Sequence, residues 1–404
     1  MKNIAVGIDI GTYKVKVVVA EQSERGSFPR ILGVGQAESK GLRHGYIMYP
    51  NDATKSVRQA ILQAEKATKI KINKVFLSVG GIGLSSISTV GSVMISRADS
   101  EITQLDLDNA IEESQNQIPS TFIQNRRIIH SIPTYFRIDG KPILGKNPVG
   151  MKGVKLEVKV LFITSLEHHL QELVQAVEEA GVEIIDVMAA PLAASLVTLS
   201  KAEKVAGCIL ANIGSETVSI VVYEDDIPTS LEIFQIGSND ITNDIALGFK
   251  VSLEEAEKIK KEHNSDRDRD RNTSKKKLDE IVSARLSDIF ELIEAHLKKI
   301  DRSGLLPAGI ILTGGGSGIT TIEDLAKAYL KLPTKTTGLA CDIDKVECFD
   351  KNVRIKDSNW AVAYGLTIFG LQADDNPVMI SNITRGLVKR IKASIVKLFK
   401  QFLP

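Results

Sequence analysis

The chain has 404 residues, 43% hydrophobic and 25% charged, with a net charge of +1; that is too long for one compact core and ordinary for a folded protein of at least two domains. No apolar run approaches the ~18 residues needed to span a bilayer, and three cysteines (Cys208, Cys341, Cys348) without ligand or redox spacing argue against a disulfide framework and fit a reducing cytoplasm. Residues 383–404 hold six basic and no acidic residues, leaving −5 on the rest, which is unlike the broad basic face of a nucleic-acid binder.

The first residues run directly into a strand, with no signal-peptide pattern. Val6–Ala20 (VGIDIGTYKVKVVVA) is an apolar run, a polar turn on Gly11, and a second β-branched run, the pattern of a hairpin. The turn offers what a phosphate needs: backbone N–H groups that can share one concavity, the Thr12 hydroxyl, and no Cβ at Gly11. Asp9, just before it, can hold water around a Mg²⁺ ion. A helix is predicted over 51–69 and a strand over 74–79. The cluster Gly80-Gly81-Ile82-Gly83 imitates part of a dinucleotide fingerprint. A Ser/Thr-rich β segment follows it where that motif requires a helix, so it reads as a turn into an inserted domain.

Residues 85–161 read as a self-contained α+β block: strands near 86–95, a helix from about 104 to 117, then strands through 127–137 and 155–163. A helix over 167–180 and a strand over 183–189 follow. Pro191 stands in the first turn of a helix running to residue 200, a favourable place for it. That helix reads as crossing between lobes, with a counterpart at 359–369. There Ala361 and Gly365 lie one turn apart, a spacing that suits a hinge or ordinary tight packing.

The first hairpin then recurs. Ile209–Tyr223 (ILANIGSETVSIVVY) aligns with it residue for residue, setting Asn212 over Asp9, Gly214 over Gly11 and Ser215 over Thr12. Two such turns half a chain apart argue for a duplicated domain gripping phosphates from both sides. Residues 227–302 read as a small subdomain with helices at 253–262 and 277–300. The break between them, 264–277 (NSDRDRDRNTSKKK), has no apolar residue and reads as a mobile exposed loop, with partner binding as the alternative. Ala308–Gly318 (AGIILTGGGSG) is an apolar strand ending in Gly314, Gly315, Gly316 and Ser317, leading into a helical pattern over 322–332. Glycines there let the main chain approach a flat ligand closely, although an ordinary strand-to-helix turn looks the same.

Residues 373–382 read as a polar linker. In the final segment, at 100° per residue, Leu387, Val388, Ile391, Ile395, Leu398, Phe399 and Phe402 fall within an arc of roughly 120°. Lys389, Arg390, Lys397 and Lys400 are among the cations on the other sides. A wide apolar stripe with basic flanks is the pattern of a helix lying in an anionic membrane interface.

Two phosphate turns and a glycine loop, in this order, resemble the actin-like ATPase superfamily, and within it the bacterial cell-division FtsA family. The closer match rests on VGIDIGTYKV, KGLRHGYI (40–47), KNPVGMKGVKLEVKVLFIT (146–164), SNDITNDIALGF with EEAEKIK (238–249, 254–260), ILTGGGSGI and the basic amphipathic end. The resemblance implies an α/β fold of the actin-like (ribonuclease H-like) type, two duplicated lobes around a nucleotide cleft with an inserted α+β subdomain 1C. Its divisions would be 1–84 with 162–202 (first lobe), 85–161 (insert), 203–226 with 303–372 (second lobe), 227–302 (subdomain 2B), 373–382 (linker) and 383–404 (membrane-targeting helix).

It also implies ATP and Mg²⁺ as ligands. Gly11, Thr12, Tyr13 and Lys14 would meet phosphate from one lobe, and Gly214, Ser215, Glu216 and Thr217 from the other. Gly314, Gly315, Gly316 and Ser317 would lie along the adenosine, and Asp9 with Asn212 would orient the hydrated metal. Glu257 and Lys260 stand where the family contacts ribose or base, though their spacing equally fits a surface ion pair. The function implied is a filament-forming tether at the division site. It would hold the tubulin-like protein FtsZ to the cytoplasmic face of the membrane, contacting it through 227–302, and recruit later division proteins.

Two residues depart from the superfamily pattern. Asn212 stands where Asp is usual, and an amide has no charge for Mg²⁺ and cannot act as a base. Glu216 brings a carboxylate into a phosphate loop, where it would repel the ligand unless turned outward or toward the metal. Weak or absent ATPase activity is therefore expected. The alternatives are a scaffold like PilM of type IV pilus systems, a small-molecule kinase of the superfamily, which Asn212 disfavours, and an MreB-like filament, which would lack the insert.

Overall fold

The duplication legible in two hairpins extends to two whole sheets. The computed structural model describes residues 4–22, 29–143, 147–262, 272–337 and 358–372. In the first sheet Ile4–Ile10 pairs antiparallel with Lys14–Glu21, which pairs antiparallel with Arg30–Glu38. On its other side Ile4–Ile10 runs parallel to Lys74–Val79, and that strand parallel to Glu183–Ala189. The second sheet repeats this order around Cys208–Ile213, with Val218–Glu224 and Ile227–Phe234 on one side and Gly309–Thr313 and Thr334–Thr336 on the other. Both hairpins carry continuous buried runs, Val17–Ala20 and Ile220–Tyr223, because both faces of each sheet are covered.

In the second lobe the path between the two parallel strands runs through the glycine loop and helix Ile322–Leu330. In the first it reaches the corresponding helix, Glu167–Glu179, only after a detour from the Gly80-Gly81 turn. The detour is an antiparallel sheet ordered Leu84–Met94, Lys155–Leu166, Arg126–Ile138 and Lys141–Pro142. Helix Gln104–Asn116 lies against it. Thr103 begins that helix with a reciprocal cap, its hydroxyl accepting the Asp106 N–H while the Asp106 carboxylate accepts the Thr103 N–H. Ile102, Leu107, Leu156, Val158 and Phe162 give the insert a core of its own. The chain enters and leaves it at one neck, where the Leu166 N–H donates to the Gly83 carbonyl at 3.1 Å.

Two helices cross between the lobes. Ala190–Thr198 leaves the first sheet and reaches the second, where the Ser195 hydroxyl lies 2.7 Å from the Tyr223 hydroxyl. Ala361–Gln372 follows the second lobe in sequence but packs against Ile4–Ile10 and Ala190–Thr198. Glycine permits both contacts: a Cβ on Gly7 would meet the Ala363 carbonyl oxygen, and one on Gly365 the Ala193 carbonyl oxygen. One apolar cluster consequently runs from the first sheet through both helices to Leu210 and Tyr223. The insert adds a further link. The Ser86 hydroxyl donates to the Leu231 carbonyl at 2.7 Å and accepts the Leu231 N–H at 3.0 Å, joining the edge strands Leu84–Met94 and Ile227–Phe234.

Helices Ser238–Phe249, Leu253–Glu262 and Asn272–Lys299 share the second lobe's other core with the second sheet. The stretch expected to remain a loop as far as residue 277 is instead helical from Asn272. Lys277 is part of the reason. Its ammonium donates to the Gly248 carbonyl at the C-terminal end of Ser238–Phe249 and lies 5.2 Å from the centre of the Phe249 ring, a favourable end for a cation. The remainder of that expected loop, 264–271, Cys341, Cys348, the linker and the amphipathic tail lie outside the described residues. Among the described residues no helix is long and apolar enough to cross a membrane.

Candidate functional site

The two hairpin turns line one cleft of about 1160 Å³, ample for a nucleotide, since ligand pockets usually measure ~300–1,000 Å³. Their equivalence holds down to a single hydrogen bond. The Gly11 N–H donates to the Lys14 carbonyl at 3.2 Å, and the Gly214 N–H to the Thr217 carbonyl at 2.9 Å. On the first side, Asp9 stands opposite Lys16 in the hairpin register and accepts the Ser78 hydroxyl at 2.8 Å. Burial pushes its carboxyl above the usual range, and Lys16 and Ser78 offset part of that rise. Lys16 also donates to the Asn359 carbonyl at 2.7 Å, tying the first hairpin to the segment that leads into the crossing helix.

The second turn is braced from behind. The Ser238 and Asn239 N–H groups donate to the Gly214 and Ser215 carbonyls at 2.9 and 2.7 Å, which uses donors that a helix start otherwise leaves unpaired. Asn212 keeps the shape of an aspartate without its charge and is flanked in the sheet by Ser219 and Thr313. Glu216 reaches across the cleft: its carboxylate accepts the backbone N–H of His44, at 2.5 Å, from the first lobe.

The glycine loop forms the third wall. Gly314 has φ +88°, and a Cβ there would strike the Asn212 side-chain oxygen and the Ile213 carbonyl, so glycine is required twice over. Gly314→Ala is expected to weaken nucleotide binding roughly tenfold, about 1.4 kcal/mol. Equilibrium titration of both proteins with ATP and Mg²⁺ checks it, and equal affinities would remove the loop from the site. Ser317, expected beside the ligand, does not line the cleft; it is buried behind the loop, and its hydroxyl donates to the Gly314 carbonyl at 2.7 Å.

Glu257 and Lys260 do form an ion pair, at 2.6 Å, and both line the cleft. Thr242 donates to Glu257 and accepts from Lys260, each at 2.7 Å. Burial works against the Glu257 charge, but the Lys260 and Thr242 hydrogen bonds outweigh it and hold the carboxyl below its usual range. Of the other expected residues, Asp9, Gly11, Thr12, Tyr13, Lys14, Asn212, Gly214, Ser215, Glu216, Thr217, Gly314, Gly315 and Gly316 all line this cleft. The membrane-binding set, Leu387 to Phe402, falls outside the described residues.

Sequence reasoning missed Lys16, His44, Ser78, Gly80 and Gly81, which line the same cleft. The turn into the insert therefore also forms cleft floor, at the position equivalent to the Gly314 loop. Lys16 could have been found by pairing the hairpin outward from its turn. His44 stands inside the KGLRHGYI motif without being marked there as a cleft residue, and Ser78 carries no local signal.

Comparison with known proteins identifies the architecture. The family model for cell division protein FtsA matches residues 209–365, and that for the SHS2 domain inserted in FtsA matches residues 81–164. The cell division protein FtsA of Borreliella burgdorferi is 31% identical over 386 residues, 91% of each chain. The chain belongs to the FtsA family. FtsA of Bacillus subtilis is 32% identical over 344 residues, covering 81% of this chain and 76% of its own. Among solved structures, a PilM–PilN type IV pilus biogenesis complex aligns with TM-score 0.65 at 18% identity, covering 91% of this chain and 98% of its own. MreB5 of Spiroplasma citri bound to ADP aligns with TM-score 0.51 at 14% identity, covering 93% and 99%. At those identities the likeness speaks to fold, and the fold is actin-like, with the FtsA-type SHS2 insert as its small separate sheet.

Proposed function

We propose that this FtsA-family chain binds Mg·ATP between its lobes as a conformational and assembly ligand, polymerises at the cytoplasmic face of the cell membrane, and tethers FtsZ there. The observation that carries the nucleotide reading is the pair of equivalent glycine turns lining one cleft. The Gly11 and Gly214 N–H groups close the turns themselves; the N–H groups that follow them, with the Thr12, Ser215 and Thr217 hydroxyls, would suit phosphate oxygens. The donor set also suits a hydrated metal. Among the described residues no group of three or more His, Cys, Asp or Glu could cage an ion, and Mg²⁺ usually binds through one or two carboxylates, phosphates and water. Asp9 would hold it with the Asn212 amide oxygen, and the ion would neutralise phosphate charge.

Hydrolysis would be slow. Asn212 cannot take a proton from water, and the Glu216 carboxylate is engaged by His44.

The tether reading rests on the tail, whose apolar stripe and basic flanks suit an anionic bilayer surface. By family likeness FtsZ would dock on the helices of 227–302, and later division proteins on the insert. A PilM-like scaffold is the second reading, favoured by the fold likeness to the pilus complex, and it does not call for such a tail. Co-sedimentation with anionic liposomes, with and without ATP, separates them. The full chain is expected to pellet and a chain ending at Asn382 to stay in solution, with little phosphate released in either case. Equal pelleting would eliminate the tether.

A further inference from the structure

We propose that Glu216 and His44 form a clasp between the lobes that governs how fast nucleotide leaves the cleft. The inference rests on the nucleotide reading above and goes beyond it, because neither residue needs to touch the ligand to act.

Glu216 sits in the second phosphate turn, where a carboxylate opposes phosphate binding by simple repulsion. The structure shows where that carboxylate goes: to the His44 N–H, with the His44 Nδ1 lying 3.3 Å from the Glu216 carbonyl oxygen. Both contacts join residues 172 positions apart. Both also belong to groups that line the cleft.

The first-lobe side of the clasp is built to present that N–H. His44 has φ 49°, a left-handed conformation uncommon for a residue with a side chain. Gly45 follows at φ +85° and packs so closely on Gly81 that a Cβ there would collide with the Gly81 backbone. The His44 carbonyl in turn accepts the Ile82 N–H at 3.3 Å. His44 is therefore held from behind by the cleft floor and from the front by Glu216. On the other side, a Cβ on Gly237 would press on the Ser215 carbonyl and the Glu216 N–H, so the second turn cannot retreat without moving the helix behind it. Two stiff loops, joined by one charge-assisted hydrogen bond across the cleft, must part before a ligand held between them can escape.

The donor is a main-chain N–H, and this makes the variants discriminating. Glu216→Ala removes the acceptor. Glu216→Gln removes the charge but keeps a carbonyl oxygen able to accept. The full chain is loaded with Mg²⁺ and a fluorescent N-methylanthraniloyl ATP, then chased with excess unlabelled ATP in a stopped-flow instrument. Glu216→Ala is expected to release the probe about tenfold faster than the parent, and Glu216→Gln at an intermediate rate. If Glu216 acts by repelling phosphate, both variants will release more slowly, and the clasp is overturned. Equal rates in all three proteins overturn it as well.

Hydrogen exchange of residues 40–48 without nucleotide reads the clasp independently of any ligand. Faster exchange in Glu216→Ala, with unchanged exchange in Cys208–Ile213, is expected for a folded protein whose clasp is open. Unaltered exchange at 40–48 would sink the clasp even if the parent binds nucleotide. Faster exchange with no nucleotide binding by the parent would leave the contact standing, and would overturn both its proposed control of release and the nucleotide reading.

Discussion

Gly365→Ala is expected to destabilise the protein by about 3 kcal/mol, the upper range for overfilling a packed interior. The sign is informative because the helix itself favours the change: alanine within a helix is worth roughly 1 kcal/mol over glycine. Packing must overcome that gain. A Cβ on Gly365 would fall on the Ala193 carbonyl group, with the carbonyl carbon at 2.6 Å. The obstacle is backbone in the facing helix and cannot rotate away. Either the crossing helices separate or Ala190–Thr198 shifts, and both disturb the apolar cluster that runs between the lobes. Urea unfolding followed by circular dichroism checks the value. Gly318→Ala is the control, because nothing lies within 4 Å of a Cβ there. A Gly365→Ala protein as stable as the parent would mean that the helices do not meet as described.

Acidification should reveal a second large effect, at His130. This residue lies in the insert strand Arg126–Ile138, is 1% exposed, and its Nε2 accepts the Ala189 N–H at 3.2 Å, just ahead of crossing helix Ala190–Thr198. Nδ1 is buried without a hydrogen-bond partner. Burial pushes the imidazole down from 6.5 to about 4. Protonation would place a charge in an apolar setting and turn the Nε2 acceptor into a donor facing another donor.

The folded pKa lies below the unfolded one, so the unfolded chain takes up its proton first as pH falls. The contribution of neutral His130 is complete above pH 6.5, declines between 6.5 and about 4, and is gone below. At 1.36 kcal/mol per unit the loss is about 3 kcal/mol. His296, also pushed down to about 4 by burial, adds to the acid sensitivity, so the comparison must isolate His130. His130→Gln retains an acceptor that does not titrate. Its stability is expected to fall less steeply than the parent's over that interval in denaturant titrations at stepped pH. Parallel profiles would show that His130 is already charged or solvated.

What could be read in the sequence, and what could not, follows from the range of the interactions. Each hairpin is local, and its turn chemistry depends on residues within a few positions of Gly11 or Gly214. The glycine loop is local in the same sense. The insert announced itself because a strand and its expected helix were separated by a run with a periodicity of its own. Contacts that complete the cleft over long range have no local signal: Ser78 meets Asp9 across 69 positions, and Lys16, whose place opposite Asp9 follows from the hairpin, meets Asn359 across 343. The end of the charged stretch misled for a related reason. Lys277 is exposed, as composition suggests, yet it reaches the Gly248 carbonyl 29 positions earlier. The expectation for Ser317 rests on a hydroxyl standing beside three glycines, and that its own loop takes up this hydroxyl is a detail of the folded turn.

The neck of the insert has a mechanical consequence. The Gly83 carbonyl there accepts both the Leu166 N–H and the Arg126 guanidinium, and a few residues away His169 Nε2 lies 3.0 Å from the Gly80 carbonyl. A torque applied to the far end of the small sheet would act through this neck and, by the Ser86–Leu231 pair, on the edge strand of the second sheet. The backbone beside the neck is Gly80-Gly81, so a load on the appended sheet would reach the lining of the cleft there.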